Sequence, residues 1–525
     1  MALRGEHDDC ALSARRLRAA LWVLLCAVAW PGPLAKAASS GTGDAARHPQ
    51  LVIVVDGLRP DYVTPELMPR LAALGRRGTV FTAHHSVFPT VTRVNATSFV
   101  TGAYPETHGL MGNAVHFPSV DPRRVFNTGS RADLETLQAA VGEVLTAPSL
   151  GEILEQHGRT LLVVSSGTSG SAWLLNHAAK NSATVHAEFT RPAELAARMT
   201  QELGPAPKHE MPNDAQNARA VDAYLRYGLG EFHPDVTFMW LSDPDSTAHA
   251  RGIGVEATRR ALRLIDAHIG RIEDALRTSG ALERTNIIVT SDHGFSTHTG
   301  ELNLAALVAP FTHTVAGVKD IVVAEGAIYV RGGDAARITT IVQALQARPE
   351  VGAIFTRAAT PGDRRGTVPG TLSFDAARWN HARSGDILVS ANWTHAKNAA
   401  GYAGSTTQKG TAGHGTSSPY DIHNTLIAFG PDFRERAVSA VPTGNVDIAP
   451  TVLRLLGVEA PPSMTGRILT EGLRTGPSPE AVRVEHASET VRSADGGYAL
   501  TIHFSSAAGR RYLDYTEVTR RKAHE

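Results

Sequence analysis

Apolar residues along this chain fall into two patterns that alternate. Short aliphatic or β-branched runs occur at Leu51–Val55, Thr160–Val164, Val236–Leu241 and Ile287–Thr290, and Gly, Pro, Asp or Ser follows within a few residues of most of them. Runs of this kind, apolar on both faces, predict buried strands of a parallel sheet. Between them the apolar positions step by three and four. Leu262, Ile265, Ile269, Ile272 and Leu276 paint one stripe on a helix predicted over 257–279 and ended by Gly280, and a shorter helix is predicted over 66–77, closed by Gly78. Strand and helix alternating in this way predict an α/β fold built on a doubly wound, mostly parallel sheet.

The rhythm changes near Glu301. Residues 301–410 hold a strand at Ala327–Val330, a helix with Ile338, Ile341, Val342 and Leu345 on one face, and then a Gly/Pro/Ala-rich stretch, which together predict an inserted cap subdomain. The α/β pattern resumes with a strand at Thr425–Phe429 and a helix around Ala449–Leu456. In the C-terminal extension, 476–525, the alternation of Leu500, Ile502 and Phe504 predicts an edge strand or hairpin. At the other end Arg15, Arg16 and Arg18 precede the apolar run Ala19–Trp30, shorter than the ~20 residues a spanning helix needs. Ala35-Lys36-Ala37 then supplies a small-residue cleavage pattern. The expected organisation is a signal peptide over 1–37, a linker over 38–48 and a main domain over 49–475. The expected destination is the periplasm or the exterior, with no membrane anchor after cleavage.

Charge narrows the function classes. Lys and Arg number 51 and Asp and Glu 51, so no basic platform for nucleic acid is evident. The only cysteines, Cys10 and Cys26, fall inside the signal peptide, so a metal in the mature chain would be held by histidine and carboxylate.

Candidate chemistry gathers where the apolar runs stop. Asp56 follows the first run, Asp245 follows the third and Asp292 the fourth, and strand ends are where open α/β sheets place their sites. Three carboxylates on one sheet edge repel unless cations lie between them, and two divalent metals are the simplest resolution. His249 stands four residues after Asp245, on the same face of one helical turn, and His293 adjoins Asp292. Thr92 opens an apparent helix at 96–101, where free N–H groups and the helix dipole favour a phosphate, although a threonine at that place is commonly just an N-cap. His108 reads as structural.

Seven separated segments resemble one family in its own order. Asp56-Gly57, Phe88-Pro-Thr-Val-Thr92, Thr101-Gly-Ala-Tyr-Pro-Glu-Thr-His-Gly109, Asn113, Pro244-Asp245-Ser-Thr-Ala-His249, Ser291-Asp292-His293-Gly294 and Gly413-His414-Gly415 together look like a type I phosphodiesterase/nucleotide pyrophosphatase of the alkaline phosphatase superfamily. The resemblance implies an alkaline phosphatase-like domain and two Zn2+ per chain. One would be held by Asp56, Asp292 and His293, with Thr92 as the nucleophile on it, and the other by Asp245, His249 and His414. Asn113, and the backbone N–H of the residue after Thr92, would donate to phosphate oxygens. The implied reaction on a small-molecule phosphate ester passes through a phosphothreonine on Thr92.

The chain departs from the family pattern at Arg93, where nucleotide pyrophosphatases carry a Phe that stacks on the base. A guanidinium can stack on a base or grip a phosphate in bidentate fashion, so phosphomonoesters and other diesters become alternatives to nucleotides. A phosphonoacetate-type hydrolase also uses a threonine and shares the metal core. A sulfatase would need a modified cysteine, absent from the mature chain. A secreted binding protein with a degenerate site would lack ligands, and all six are present. The sequons at Asn95 and Asn392 read as accidental.

Overall fold

The computed structural model describes residues 47–521. The predicted signal peptide and nearly all of the linker lie outside the described residues, as do both cysteines.

A ten-stranded sheet forms the centre. Its middle strand, Gln50–Val55, lies parallel to Val236–Leu241 on one side and to Asn286–Thr290 on the other. Leu161–Ser165 and then Ala183–His186 extend it, again in parallel. The alternation within Gln50–Val55 serves two cores at once. Leu51, Ile53 and Val55 enter one apolar cluster with the helices Pro69–Arg77 and Glu256–Thr278, while Val52 and Val54 enter another with Thr92–Thr101 and Ile448–Leu455. Each buried aliphatic side chain contributes about 1.5–3 kcal/mol, so both faces must be covered by helices.

Several elements differ in detail from the sequence reading. His423–Phe429, expected to continue the parallel rhythm, runs antiparallel to Asn286–Thr290, and Thr79–His85 runs antiparallel to it in turn. Two reversals restore the direction, so Thr79–His85 ends on the same sheet edge as the central strands. The helix predicted from residue 66 starts at Pro69, whose missing N–H suits a first turn. The next two amides are capped across space by Asp266, whose carboxylate accepts from Arg70 N at 3.1 Å and Leu71 N at 2.9 Å. The strand predicted at 160–164 and the helix predicted at 257–279 are shifted by one residue, to Leu161–Ser165 and Glu256–Thr278.

Two further layers stand over the strand ends. A five-stranded sheet between Ile321 and Ala391 carries the helix Ala335–Gln346. The C-terminal extension is a three-stranded antiparallel meander, Val484–Arg492, Tyr498–Ala507 and Arg510–Arg520, rather than a single edge strand or hairpin. Leu500, Ile502 and Phe504 share one core with Ile328, Ile354, Phe355 and Leu388 of the five-stranded sheet. The meander is thus sandwiched rather than left at an edge. Among the described residues no helix is long and apolar enough to cross a membrane.

Candidate active site

The parallel register brings the strand-end aspartates together through backbone bonds. Asp56 N donates to Leu241 O at 2.9 Å and Asp245 N donates to Asp56 O at 3.1 Å, which zips the loops after the first and third runs. Gly57 makes this approach possible. Its φ is +72°, and a Cβ there would stand 3.2 Å from Asp245 Cβ. Gly57 N donates to Asp292 Oδ1 at 3.2 Å, and the buried Trp240 donates from Nε1 to Asp56 Oδ2 at 2.9 Å. One oxygen of each carboxylate then remains buried with no hydrogen-bond partner: Asp56 Oδ1, Asp245 Oδ1 and Asp292 Oδ2. A buried carboxylate oxygen without a partner is strongly unfavourable, and three of them facing one space call for a cation.

The histidines supply the complementary half. His249, His293 and His414 bond through Nδ1 to the carbonyls of Ala412, Gly294 and Thr90 at 2.9, 2.9 and 2.8 Å. A carbonyl only accepts, so each Nδ1 carries the hydrogen and each Nε2 is left for the carboxylates. His293 Nε2 is 3.0 Å from Asp292 Oδ2 and 3.5 Å from Asp56 Oδ1, while Asp245 Oδ1 is 3.2 Å from His249 Nε2 and 3.4 Å from His414 Nε2. Two tight donor groups result, Asp56/Asp292/His293 and Asp245/His293/His414, each with all its donor atoms within 4.8 Å of one another. His249 belongs to neither tight group and stands at the rim with its side chain 43% exposed.

Burial and the charges facing one another shift the titration of these groups. Burial, then the charges of Asp292 and Asp245, raise the Asp56 carboxyl well above its ordinary pKa. Burial acts the same way on Asp245 but is outweighed by His249, His414 and His293, which hold it below the usual range. Burial and the neighbouring His293 drive His414 well down, toward the neutral form that ligates metals. With no cysteine among the described residues, this nitrogen and oxygen donor set fits zinc-like divalent ions.

Thr92 is the first residue of the buried helix Thr92–Thr101, but it is not the cap. The N-cap is Val91, and Thr92 Oγ1 instead faces His293 Nε2 at 3.3 Å. Asn113 Oδ1 accepts from Arg93 N at 3.0 Å. The amide expected to face a phosphate oxygen is therefore engaged by Asn113 here, and the Asn113 side-chain nitrogen is left as the donor. Arg93 is half-buried with Nε unpartnered, and its guanidinium lies over Gly129, where a Cβ would come within 3.2 Å of Nη2. Asn95 is fully buried and bonded to Val87 and Val91, so its sequon has no access to a glycan. His108 is also fully buried, with Nε2 on Ser98 Oγ and Nδ1 accepting from Leu110 N, both at 3.1 Å.

Several residues that shape the site escaped the sequence reading. Asp421 is buried; its carboxylate accepts from Thr416 N, Thr416 Oγ1 and Ser296 Oγ, and its carbonyl accepts from Gly294 N at 2.8 Å. It thereby ties the His293 and His414 loops together. Glu325, at a cap hairpin turn with φ 56°, accepts from Asn113 N at 2.9 Å. His298 packs beside His249 across Gly413, with a buried, unpartnered Nε2. A cavity of about 360 Å³ opens beside His414 between Phe88, Met111, Leu304, Glu325 and Leu388.

Known proteins resemble this chain in sequence and in fold. A family model described as type I phosphodiesterase / nucleotide pyrophosphatase matches residues 50–416. Bis(5'-adenosyl)-triphosphatase ENPP4 of Bos taurus is 26% identical over 287 residues, 52% of this chain and 54% of that protein. Ectonucleotide pyrophosphatase/phosphodiesterase family member 1 of Mus musculus is 26% identical over 251 residues, 47% of this chain and 24% of that protein. The chain thus spans about half the length of the first of these relatives and a quarter of the second. Among solved structures, murine ectonucleotide pyrophosphatase/phosphodiesterase 5, an inactive variant in complex with AMP, superposes with a TM-score of 0.57 at 18% identity, covering 81% of this chain and all of that one. The chain belongs to the type I phosphodiesterase / nucleotide pyrophosphatase family.

Proposed function

We propose that this protein is an exported two-zinc hydrolase of phosphate diesters or nucleotide pyrophosphates that acts through a phosphothreonine on Thr92. The observation that carries the reading is the convergence of three partnerless buried carboxylate oxygens with three histidine Nε2 atoms, beside the Thr92 hydroxyl. Asp56, Asp292 and His293 would hold one zinc and Asp245, His249 and His414 the other. Bound there, the cations would supply positive charge that lowers the pKa of the threonine hydroxyl and offsets charge on the phosphoryl oxygens. Thr92 Oγ1, its proton given up to solvent water, would attack phosphorus as the bond to the leaving oxygen breaks and the alcohol or phosphate product departs. The Asn113 side-chain nitrogen and the positive end of the helix dipole would meet the phosphoryl oxygens. Water then hydrolyses the phosphothreonine and regenerates the hydroxyl.

Arg93 supports a second reading. Its buried, unpartnered Nε suits a phosphate dianion better than a stacked base, which favours an alkaline phosphomonoesterase on the same core. Rates on p-nitrophenyl phosphate, bis-p-nitrophenyl phosphate and a p-nitrophenyl nucleoside monophosphate separate the two. The diester or the nucleotide should be fastest, and a preference for the simple monoester by orders of magnitude would overturn the first reading. Thr92→Ala should abolish turnover while both metals, counted by elemental analysis, remain. N-terminal sequencing of exported protein should begin at Ala38.

A further inference from the structure

A third convergence of ligand-type side chains lies outside the catalytic edge. His85 ends one strand and His423 begins its antiparallel neighbour, and the two are direct register partners with ring centroids 4.6 Å apart. Asp514, from the last strand of the meander, reaches the same point and places Oδ1 2.8 Å from His85 Nε2. The donor atoms of all three residues lie within 4.8 Å of one another.

The hydrogen bonds define what this cluster can accept. His85 Nδ1 is 2.8 Å from the Thr443 carbonyl, so Nδ1 carries the hydrogen and the neutral ring turns a lone pair at Nε2 toward Asp514. A lone pair and a carboxylate oxygen 2.8 Å apart require a cation at that place, either a ring proton or a metal. The arrangement, Nδ1 on a backbone carbonyl and Nε2 on a carboxylate, repeats that of His249, His293 and His414. Asp514 is itself oriented by Ser505 Oγ, which donates to Oδ1 at 2.7 Å, as carboxylate ligands commonly are. In a tetrahedral site with bonds of about 2.0–2.1 Å neighbouring ligand atoms stand about 3.3 Å apart, so His85 and Asp514 need separate by only about 0.5 Å.

We propose that His85, His423 and Asp514 bind a third divalent cation of the zinc class, which fastens the C-terminal meander to the main sheet. Two imidazoles and a carboxylate are a donor set suited to a borderline first-row ion, with water completing the shell. His85 and Asp514 are 429 positions apart, so the cation would cross-link the last strand of the chain to one of its first. The inference does not depend on the proposed reaction.

The experiment uses the full chain equilibrated with buffered Zn2+, with metal content measured for wild type, Asp514→Asn and His423→Gln. Each variant should lose one equivalent per chain relative to wild type, whatever the catalytic edge holds. Crystals of the wild-type chain grown with Zn2+ cover the case of a variant that fails to fold. An anomalous peak at the zinc edge bounded by His85, His423 and Asp514 is expected. Equal metal content in all three proteins, or His85 hydrogen-bonded to Asp514 with no anomalous peak, overturns the site and leaves a proton-bridged pair. Failure of the two-zinc catalytic reading would appear separately, as missing peaks beside Asp56 and Asp245.

Discussion

Trp240 lies beneath the edge that gathers the three aspartates, and replacing it with phenylalanine tests whether Asp56 is a prepared ligand. The indole Nε1 donates to Asp56 Oδ2 at 2.9 Å, which leaves Oδ1 partnerless and directed toward His293. Burial and the charges of Asp292 and Asp245 already disfavour the ionised carboxyl, so the indole is one of few groups that stabilise the form a metal needs. Trp240→Phe keeps a ring against Phe99, whose centroid is 6.2 Å away, and removes the donor. A hydrogen bond to a charged group contributes about 1.5–3 kcal/mol, and about 1.4 kcal/mol is tenfold in affinity. The expected result is about 10–100-fold weaker binding of one metal equivalent, the range seen when an outer partner of a metal ligand is removed. Competition with a zinc chelator measures that affinity, and hydrolysis should recover as free Zn2+ is raised. The smaller ring also leaves a void, so melting of the metal-free chain is followed in parallel to separate lost packing from lost ligation. Unchanged retention of both equivalents against the chelator would refute the role assigned to the indole.

Three other outcomes follow from particular contacts. Burial pushes His108 down to about 3 from 6.5, so the unfolded chain takes up the proton first. The stability of the neutral ring is complete above about pH 6.5 and is lost as pH falls toward 3, about 2 kcal/mol by pH 5. Urea unfolding at pH 7.5 and 5 should show that loss, reduced by about one proton's worth of slope in His108→Gln; identical slopes would exclude His108 as its source. A Cβ at Gly294 would land inside the van der Waals surface of the Tyr420 carbonyl oxygen. Gly294→Ala should therefore shift His293 and lower turnover by at least about 100-fold while the chain stays folded, and near-normal rates would show that the loop yields without moving the histidine. Asn113→Ala removes both the acceptor for Arg93 N and the expected phosphoryl donor, so kcat should fall by about 10²–10³-fold at unchanged metal content; a change confined to KM would assign Asn113 to ground-state binding.

How much of this was legible depends on the range of each contact. Asp56, Asp245 and Asp292 could be found because an apolar run followed by a carboxylate is a local pattern, and the sheet register then places all three on one edge. His249 and His293 were legible for the same reason. Asp421, Glu325 and Trp240 were not, because a buried Asp beside a Tyr, a Glu in a hairpin turn and a Trp within a strand look the same in sequence whatever they bond to. The reversed direction of His423–Phe429 escaped because a run buried on both faces reads identically parallel or antiparallel. The meander was underestimated because only its middle strand, Tyr498–Ala507, packs Leu500, Ile502 and Phe504 into the core as an obvious alternation.

Under the proposed reaction, catalysis and substrate choice would be built from different parts of this chain. The clustered carboxylates and histidines come from ends of strands in the central sheet and the loops zipped to them, where backbone pairing sets positions with little freedom. The walls of the neighbouring cavity come largely from the cap: Leu304, Val323, Glu325 and Leu388 face Phe88 and Met111 there. Arg93 connects the two regions. Its backbone N–H follows Thr92 and bonds to Asn113, whose own backbone N–H is held by Glu325 of the cap. A change in the cap hairpin would therefore reach the phosphate through Asn113 without touching a metal ligand. Glu325→Ala should accordingly alter the ratio of diester to monoester turnover while metal content stays at the wild-type value. Equal loss on both substrates would place Glu325 in the common chemistry instead.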